Sequence, residues 1–327
     1  MSNILSVKNL TVKYRTRYGT VHALSDVSFD IKKGSIVGII GESGSGKSTL
    51  GHTILRTLPE NAEIKSGEII FNEENILAID EEKFRRDFRW KRISMIFQNS
   101  MNAFSPVHRI QDQLLDVARK CFPNKTREDL LDIIKEKLKI ANIDESVLKK
   151  YPHELSGGQR QRVAIGMALL ADPEVVIADE PTTGLDVVTQ YQILNRLKQI
   201  QEDLGITLLL ITHDVSVVAA LSTDVLVLYA GKVLEYGKTK RVFKHSNHPY
   251  TYLLLKSYPD IGKEKLYEIP GSPPDLRNPP SGCVFHPRCP YATDICREED
   301  PKIREVEEGH LSACHYAESF VKEVETQ

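Results

Sequence analysis

What this 327-residue chain has little of narrows its function first. No apolar run approaches the ~18 to 20 residues that a membrane span needs. One of the longest, Val163 to Ala171, reads as part of an amphipathic helix, so the chain is expected to be soluble by itself. An excess of charge of either sign is missing, with 43 Lys and Arg against 45 Asp and Glu, and no basic patch points to nucleic acid or an anionic membrane surface. A secretory signal is missing too: Met1 to Tyr14 alternates polar and apolar residues without a hydrophobic stretch, which places the chain in the cytosol. Cysteine is scarce. In that compartment the five present are not expected to form disulfides, and four of them fall late, at 283, 289, 296 and 314.

What is present is organised around residues 35–57. An apolar run, Ile36 to Ile40, meets the glycine-rich stretch GESGSGKS at Gly41 to Ser48, which opens a predicted helix over Thr49 to Thr57. Gly41, Gly44 and Gly46 let backbone N–H groups turn inward around an anion, and the helix start adds its positive end. Lys47 is placed to reach the β- and γ-phosphates of a nucleotide, and the Ser48 hydroxyl to ligate the Mg²⁺ that bridges them. By chance this pattern occurs in about one chain of this length in a hundred, and the flanking strand and helix lower those odds further.

The rest of the chain reads as alternating strands and helices. Ile4 to Tyr14 and Ser25 to Ile31 alternate as half-buried strands, with Tyr14 at a strand end where its ring can stack on a purine or simply pack. Ser66 to Phe71 suggests a hairpin, a charged helix is expected over Glu81 to Arg92, and Ile93 to Phe97 forms a strand ending at Gln98. Helical periodicity from Pro106 to Lys150 marks an inserted helical subdomain. Ser156 caps the next helix, and Ser156, Gly157 and Gly158 form a second anion-ready helix start. Glu174 to Glu180 is an apolar strand ending in two carboxylates: Asp179 suits a Mg²⁺ site, and Glu180 projects past it toward a γ-phosphate. After the turn Pro181 to Asp186 and a helix over Val187 to Leu204, a buried strand, Thr207 to Thr212, delivers His213 as a γ-phosphate contact. Two strands between Thr223 and Leu234 finish the nucleotide domain.

Together these motifs resemble the ATPase subunit of an ABC transporter over Leu5 to Gly237. The phosphate loop, Gln98, the signature Leu155 to Gln159, the carboxylate strand, the Gly184-Leu185-Asp186 turn and His213 occur in that family's order and approximate spacing. The resemblance implies an α/β phosphate-loop NTPase core with an antiparallel β subdomain and an inserted helical subdomain (about 101–160) inside a nucleotide-binding domain of residues 1–237. It also implies a bound ATP held by Tyr14, Gly41, Ser43, Gly44, Gly46, Lys47, Ser48, Thr49 and Gln98. A partner subunit would supply Ser156, Gly157, Gly158 and Gln159 in a head-to-tail dimer. Mg²⁺ would sit on Ser48, Gln98 and Asp179, with Glu180, His213, Gln98 and Lys47 serving hydrolysis. The remaining partners implied are two membrane permease subunits at the cytoplasmic face and, indirectly, an extracytoplasmic solute-binding protein. The rival reading is a soluble ABC ATPase working on nucleic acid or ribosomes. No long coiled coil, second nucleotide domain or basic patch supports it.

The segment 238–327 reads as a Cys- and Pro-rich C-terminal extension. Seven of its prolines lie between Pro270 and Pro290, so little helix is expected there, and its packing should depend on something other than a hydrophobic core. His248-Pro-Tyr-Thr251 and Cys283-Val-Phe-His-Pro-Arg-Cys289 resemble the dipeptide and oligopeptide importer branch. That resemblance puts a [4Fe-4S] cluster on Cys283, Cys289, Cys296 and Cys314 ahead of zinc, for which His286, His310 or His315 could substitute as ligands, and ahead of unligated thiols. Far along the chain from every nucleotide motif, this site is expected to take no direct part in ATP chemistry. Cys121 stands apart as a buried or idle thiol. The resemblance implies an ATP-hydrolysing subunit that powers import of a solute, a peptide or an oligosaccharide, through the separate permease subunits. The residues do not name which solute, nor say whether the second ATPase subunit is a copy of this one.

Overall fold

The computed structural model describes residues 2–98, 104–257 and 268–325. Its strands are β1 (Asn3–Thr16), β2 (Gly19–Lys32), β3 (Ile36–Ile40), β4 (Ala62–Phe71), β5 (Glu74–Asn75), β6 (Ile93–Ile96), β7 (Val175–Asp179), β8 (Thr207–Ile211), β9 (Asp224–Tyr229), β10 (Lys232–Lys238), β11 (Arg304–Glu307) and β12 (His310–Ser312). The chain divides into two compact units. The first comprises residues 1–32, 37–77 and 212–327; the second comprises residues 33–36 and 78–211.

In the first unit, β2-β1-β4-β5 form an antiparallel sheet. Val7 stands opposite Phe29 on one side and Ile69 on the other, and all three are buried. This is the outcome of period-two alternation: one face of β1 packs and the other meets water. A second sheet runs in the order β11-β12-β10-β9-β3, with β3 parallel to β9 and β9, β10, β12 and β11 antiparallel in turn. β3 is buried along its whole length, as an uninterrupted apolar run in a parallel pair must be.

The helix after the phosphate loop runs over Lys47–Ile54, two residues earlier at its start than predicted and three shorter at its end. It stops because Arg56 takes a left-handed conformation, φ 52°. The charged helix predicted to reach Arg92 spans Glu81–Asp87, capped by Asp80, whose side chain accepts the Glu82 and Lys83 N–H groups. Trp90, at φ 67°, turns the chain so that Phe84 and Phe88 face inward and stack, 5.5 Å apart.

In the second unit, β6, β7 and β8 form a parallel sheet, with Val176 paired to both Ser94 and Leu208. Helices Ile110–Cys121, Arg127–Ile140 and Gly157–Ala168 enclose a separate apolar core of Ile110, Leu114, Leu130, Ile134, Leu138 and Val163. Helix Val187–Leu204 starts on Asp186, whose carboxylate accepts the Thr189 N–H at 3.0 Å, and ends at Gly205 in a left-handed cap.

The C-terminal segment corrects one expectation. It has a hydrophobic core: Tyr250, Leu253, Leu254, Val284, Phe285 and Ala313 pack with Ile40, Val225, Val227, Tyr229 and Leu234 of the first unit. Tyr250 and Phe285 are fully buried. β12 adds to β10, pairing Ser312 with Glu235, so part of the extension also continues a sheet. The segment between Pro270 and Pro290 has little helix, as expected, with one 3₁₀ turn at His286–Arg288.

Candidate functional site

The first unit carries the phosphate loop. β3 delivers the chain to Gly41, whose φ of 150° and missing side chain are both required: a Cβ there would lie 2.0 Å from the Leu228 carbonyl oxygen. Gly46 caps the following helix at φ 104°, and a Cβ would stand 2.6 Å from the Ala23 carbonyl. The Lys47 side chain is buried, and its ammonium donates to the Gly41 carbonyl at 2.8 Å, the Glu42 carbonyl at 2.9 Å and Ser45 Oγ at 3.4 Å. A cation in the mouth of a loop that opens a helix gives the electrostatics of an anion site. Ser43 and Gly44 form the exposed tip, while Ser48 and Thr49 lie half-buried in the first turn.

Of the other predicted residues in this unit, Tyr14 reaches the helix start and His213 follows a residue bonded to β3. The Tyr14 hydroxyl lies 3.3 Å from Thr49 Oγ1, which brings an aromatic ring to the helix start. Thr212 donates its N–H to the Ile39 carbonyl of β3 at 3.2 Å, so the exposed His213 leaves the chain alongside the strand that feeds the loop.

The second unit carries the carboxylates and the signature. β7 ends on Asp179, 1% exposed. Glu180 follows in the left-handed region at φ 44°, its N–H held by the Ile211 carbonyl at 2.9 Å. This is a costly backbone for a non-glycine residue, and it turns the Glu180 side chain out of the strand direction. The carboxylate oxygen Oε2 accepts the Thr183 hydroxyl at 2.8 Å and the Gln98 amide at 3.4 Å. Gln98 and Glu180, 82 residues apart, are thus brought together.

Ser156 is the N-cap of helix Gly157–Ala168: its Oγ accepts the Gln159 N–H, and Gln159 Oε1 accepts the Ser156 N–H. The Gln159 side-chain carbonyl is therefore engaged in its own cap. Gly158 packs so closely on helix Val187–Leu204 that a Cβ would meet the Thr189 methyl at 2.7 Å. The serine itself is exposed.

All four late cysteines line one cavity of about 220 Å³ in the first unit, with Phe285, His286 and His315 also in its wall. Burial pushes the Cys289 and Cys314 thiols up to about 12, and raises Cys283 as well. Among the described residues, no three His, Cys, Asp or Glu side chains form a group that could hold a metal ion. His310 does not line this cavity; its ring sits 2.7 Å from buried Glu235. Cys121 is buried, as expected, and burial raises its pKa.

Residues 24–183 match the ABC transporter family, and residues 234–296 match the C-terminal region of oligopeptide and dipeptide transporters. The dipeptide transport ATP-binding protein DppD of Caldanaerobacter subterraneus subsp. tengcongensis is 42% identical over 97% of this chain and 98% of its own length. The chain belongs to the ABC transporter ATP-binding proteins of the dipeptide and oligopeptide branch. Another member of that family, the oligopeptide transport ATP-binding protein OppD of Escherichia coli K12, is 41% identical over 95% of this chain and 92% of its own. Among solved structures, the ATP-binding cassette MJ0796, a dimer in a post-hydrolysis state with ADP and Pi, superposes with a TM-score of 0.64 at 30% identity. It covers 72% of this chain and 98% of its own. The α/β phosphate-loop fold and ATP hydrolysis follow from that membership.

Two features of this ABC ATPase escaped the sequence reading. Thr183, in the Thr-Thr-Gly turn after the carboxylates, holds Glu180; its place three residues beyond the acid was the available signal. Arg288, between two cysteines of the C-terminal motif, reaches the phosphate loop, and nothing local in the sequence pointed there.

Proposed function

We propose that this chain hydrolyses ATP to drive peptide uptake through two separate membrane permease subunits, seated peripherally at the cytoplasmic face with an extracytoplasmic solute-binding protein acting indirectly. The similarity to DppD along 97% of the chain carries this reading. Among the described residues no helix is long and apolar enough to cross a membrane, which fits a role alongside permeases. The functional division assigns residues 1–237 to the nucleotide-binding domain, with its helical subdomain at about 101–160, and 238–327 to the extension. The nucleic-acid reading has no comparable support.

In this reading the N–H groups of Gly41 to Ser48 and the Lys47 ammonium bind the phosphates, Tyr14 stacks on adenine, and His213 contacts the γ-phosphate. Mg²⁺, when bound, neutralises phosphate charge; Ser48, Gln98 and Asp179 offer the hard oxygen donors it takes. Glu180 acts as general base. Water oxygen bonds to the γ-phosphorus, its proton passes to the Glu180 carboxylate, and the bond to the bridging oxygen breaks to release ADP. A positioned base contributes about 10² to 10⁴ in rate, and Thr183 and Gln98 keep this one aimed.

A second ATPase subunit completes each site head to tail, presenting its Ser156, Gly157, Gly158 and Gln159 to the nucleotide. The exposed Ser156, the exposed Val187, Val188 and Tyr191 after Asp186, and the dimeric form of the similar cassette support this. ATP favours the closed dimer and loss of the γ-phosphate opens it, so nucleotide state sets mechanical state.

The cavity lined by Cys283, Cys289, Cys296 and Cys314 is proposed to hold a [4Fe-4S] cluster. Such a cluster takes one thiolate at each of four iron corners, and the single cavity that all four cysteines line is what supports this reading.

Purification from a membrane extract tests both parts. The chain is expected to bring down two hydrophobic proteins and to contain about four irons per copy under anaerobic conditions. Recovery with nucleic acid instead would overturn the importer reading. A colourless protein without iron would remove the cluster.

A further inference from the structure

The C-terminal segment grips the phosphate loop through Glu42, whose polar groups are each engaged. Its N–H donates to the hydroxyl of fully buried Tyr250 at 3.0 Å. Its carbonyl accepts the Lys47 ammonium at 2.9 Å and the Ser45 N–H at 3.2 Å. Its carboxylate is held by both arms of Arg288, Nη1 to Oε2 at 2.6 Å and Nη2 to Oε1 at 3.1 Å. Tyr250 and Arg288 both come from the C-terminal segment that carries the four late cysteines.

Arg288 is built into place. Besides the two bonds to Glu42, Nε donates to the Pro270 carbonyl at 2.7 Å, Nη1 to the Tyr229 hydroxyl at 3.2 Å and Nη2 to the Ile269 carbonyl at 3.4 Å. A guanidinium has five N–H donors, so these five contacts use them all. The side chain is 6% exposed against 24% for Glu42, so the pair is shielded better than a surface ion pair. Below it, Tyr229, Tyr250 and Phe285 pack ring on ring at centroid distances of 4.5 to 5.3 Å. Phe285 also lines the cysteine cavity, and Cys289 directly follows Arg288. On the other side, Pro273, Pro274 and Leu276 share a small cleft with Glu42 to Ser45.

We propose that Arg288 is a positioning residue for the phosphate loop: by fixing Glu42 it holds the Glu42–Ser45 turn in the conformation that receives phosphate, and so ties ATP affinity to the folding of the cysteine-bearing segment. The physical reason is preorganisation. A loop whose turn is already fixed loses less conformational freedom on binding, and that saving appears as affinity. The inference rests on the ATP-binding reading of the loop, and it holds whatever fills the cysteine cavity.

The test uses the full chain with Arg288→Met, Arg288→Lys, Glu42→Gln and the Arg288→Met/Glu42→Gln double variant. ATP affinity is titrated with a fluorescent ATP analogue, KM and kcat are measured, and thermal melting checks folding. Each of the Met and Gln variants is expected to weaken ATP binding by about tenfold, mostly in KM, as a charge-assisted bidentate contact warrants. The double variant should bind no worse than the poorer single, because one contact is lost in all three. Lys, which keeps the charge but loses the fork, should recover part of the affinity.

Folded Met and Gln variants that bind ATP within twofold of the parent would overturn the proposal, as would additive losses in the double variant. If Arg288→Met does not fold, Glu42→Gln alone decides, because it leaves the carbonyl and tyrosine partners of Arg288 in place. A parent chain that binds ATP no better than Lys47→Ala would instead remove the ATP-binding reading itself.

Discussion

Thr183→Val isolates how Glu180 is aimed. Valine keeps the shape and the β-branch of threonine and deletes one hydroxyl, the donor 2.8 Å from Glu180 Oε2. A hydrogen bond to an ionised group contributes about 1.5 to 3 kcal/mol. Glu180 and Thr183 are both half-buried, so water can replace part of the contact and the lower end applies. At about 1.4 kcal/mol per decade, that loss is roughly a tenfold fall in kcat. The Gln98 contact with the same oxygen is longer, 3.4 Å, and so the weaker of the two. Because the deleted hydroxyl bonds to Glu180, the loss should fall on the chemical step: ATP affinity should be preserved, and steady-state ATPase assays should show the loss in kcat with KM near the parent value. Thr183→Ser, which restores the hydroxyl, should recover most of the rate. Parent-like kcat in Thr183→Val would show that Glu180 needs no such support and refute the reasoning.

Ser156→Arg places a bulky cation at the exposed helix start meant for the partner's γ-phosphate. ATP-dependent dimers seen by scattering in a Glu180→Gln background should vanish while ATP binding survives; undiminished dimers would contradict the head-to-tail arrangement. His248 is fully buried, which lowers its pKa from 6.5 to about 3, and its Nδ1 accepts the Tyr250 N–H at 3.0 Å. Because the folded value lies below the unfolded one, its contribution to stability is present above pH 6.5 and is lost as pH falls from there toward 3. Denaturant unfolding between pH 6 and pH 5 should therefore show a slope about 1 kcal/mol per pH unit shallower in His248→Gln than in the parent, and equal slopes would remove His248 from the acid response.

The parts legible in the sequence are those whose causes are local. Ile36 to Ile40 had to be buried, Gly41 and Gly46 had to turn where side chains do not fit, and Ser156 had to cap, so the phosphate loop and the signature helix could be placed from spacing alone. Thr183 lay within reach of the same reasoning, since a hydroxyl three residues after an acid is a local signal.

The extension was not legible. Its apolar residues, Tyr250, Val284 and Phe285, occur in ones and twos among prolines and polar groups, with no helical or strand period to show which face they bury. Their partners lie on strands elsewhere in the chain, as Tyr229 does for both Tyr250 and Phe285. The Arg288–Glu42 pair joins residues 246 apart, a contact set by tertiary packing and by no pattern along the chain. The helix expected over Glu81 to Arg92 begins where its charge pattern suggests but ends at Asp87, before Trp90 turns the chain in the left-handed region.

The most direct test of the central claim is ATP-driven uptake of a labelled dipeptide into inside-facing vesicles rebuilt from this ATPase, its co-purified permeases and a solute-binding protein. Uptake should require ATP and fall at least ~100-fold in Glu180→Gln, which should still bind ATP. Equal uptake by Glu180→Gln, or peptide accumulation without ATP, would contradict the account.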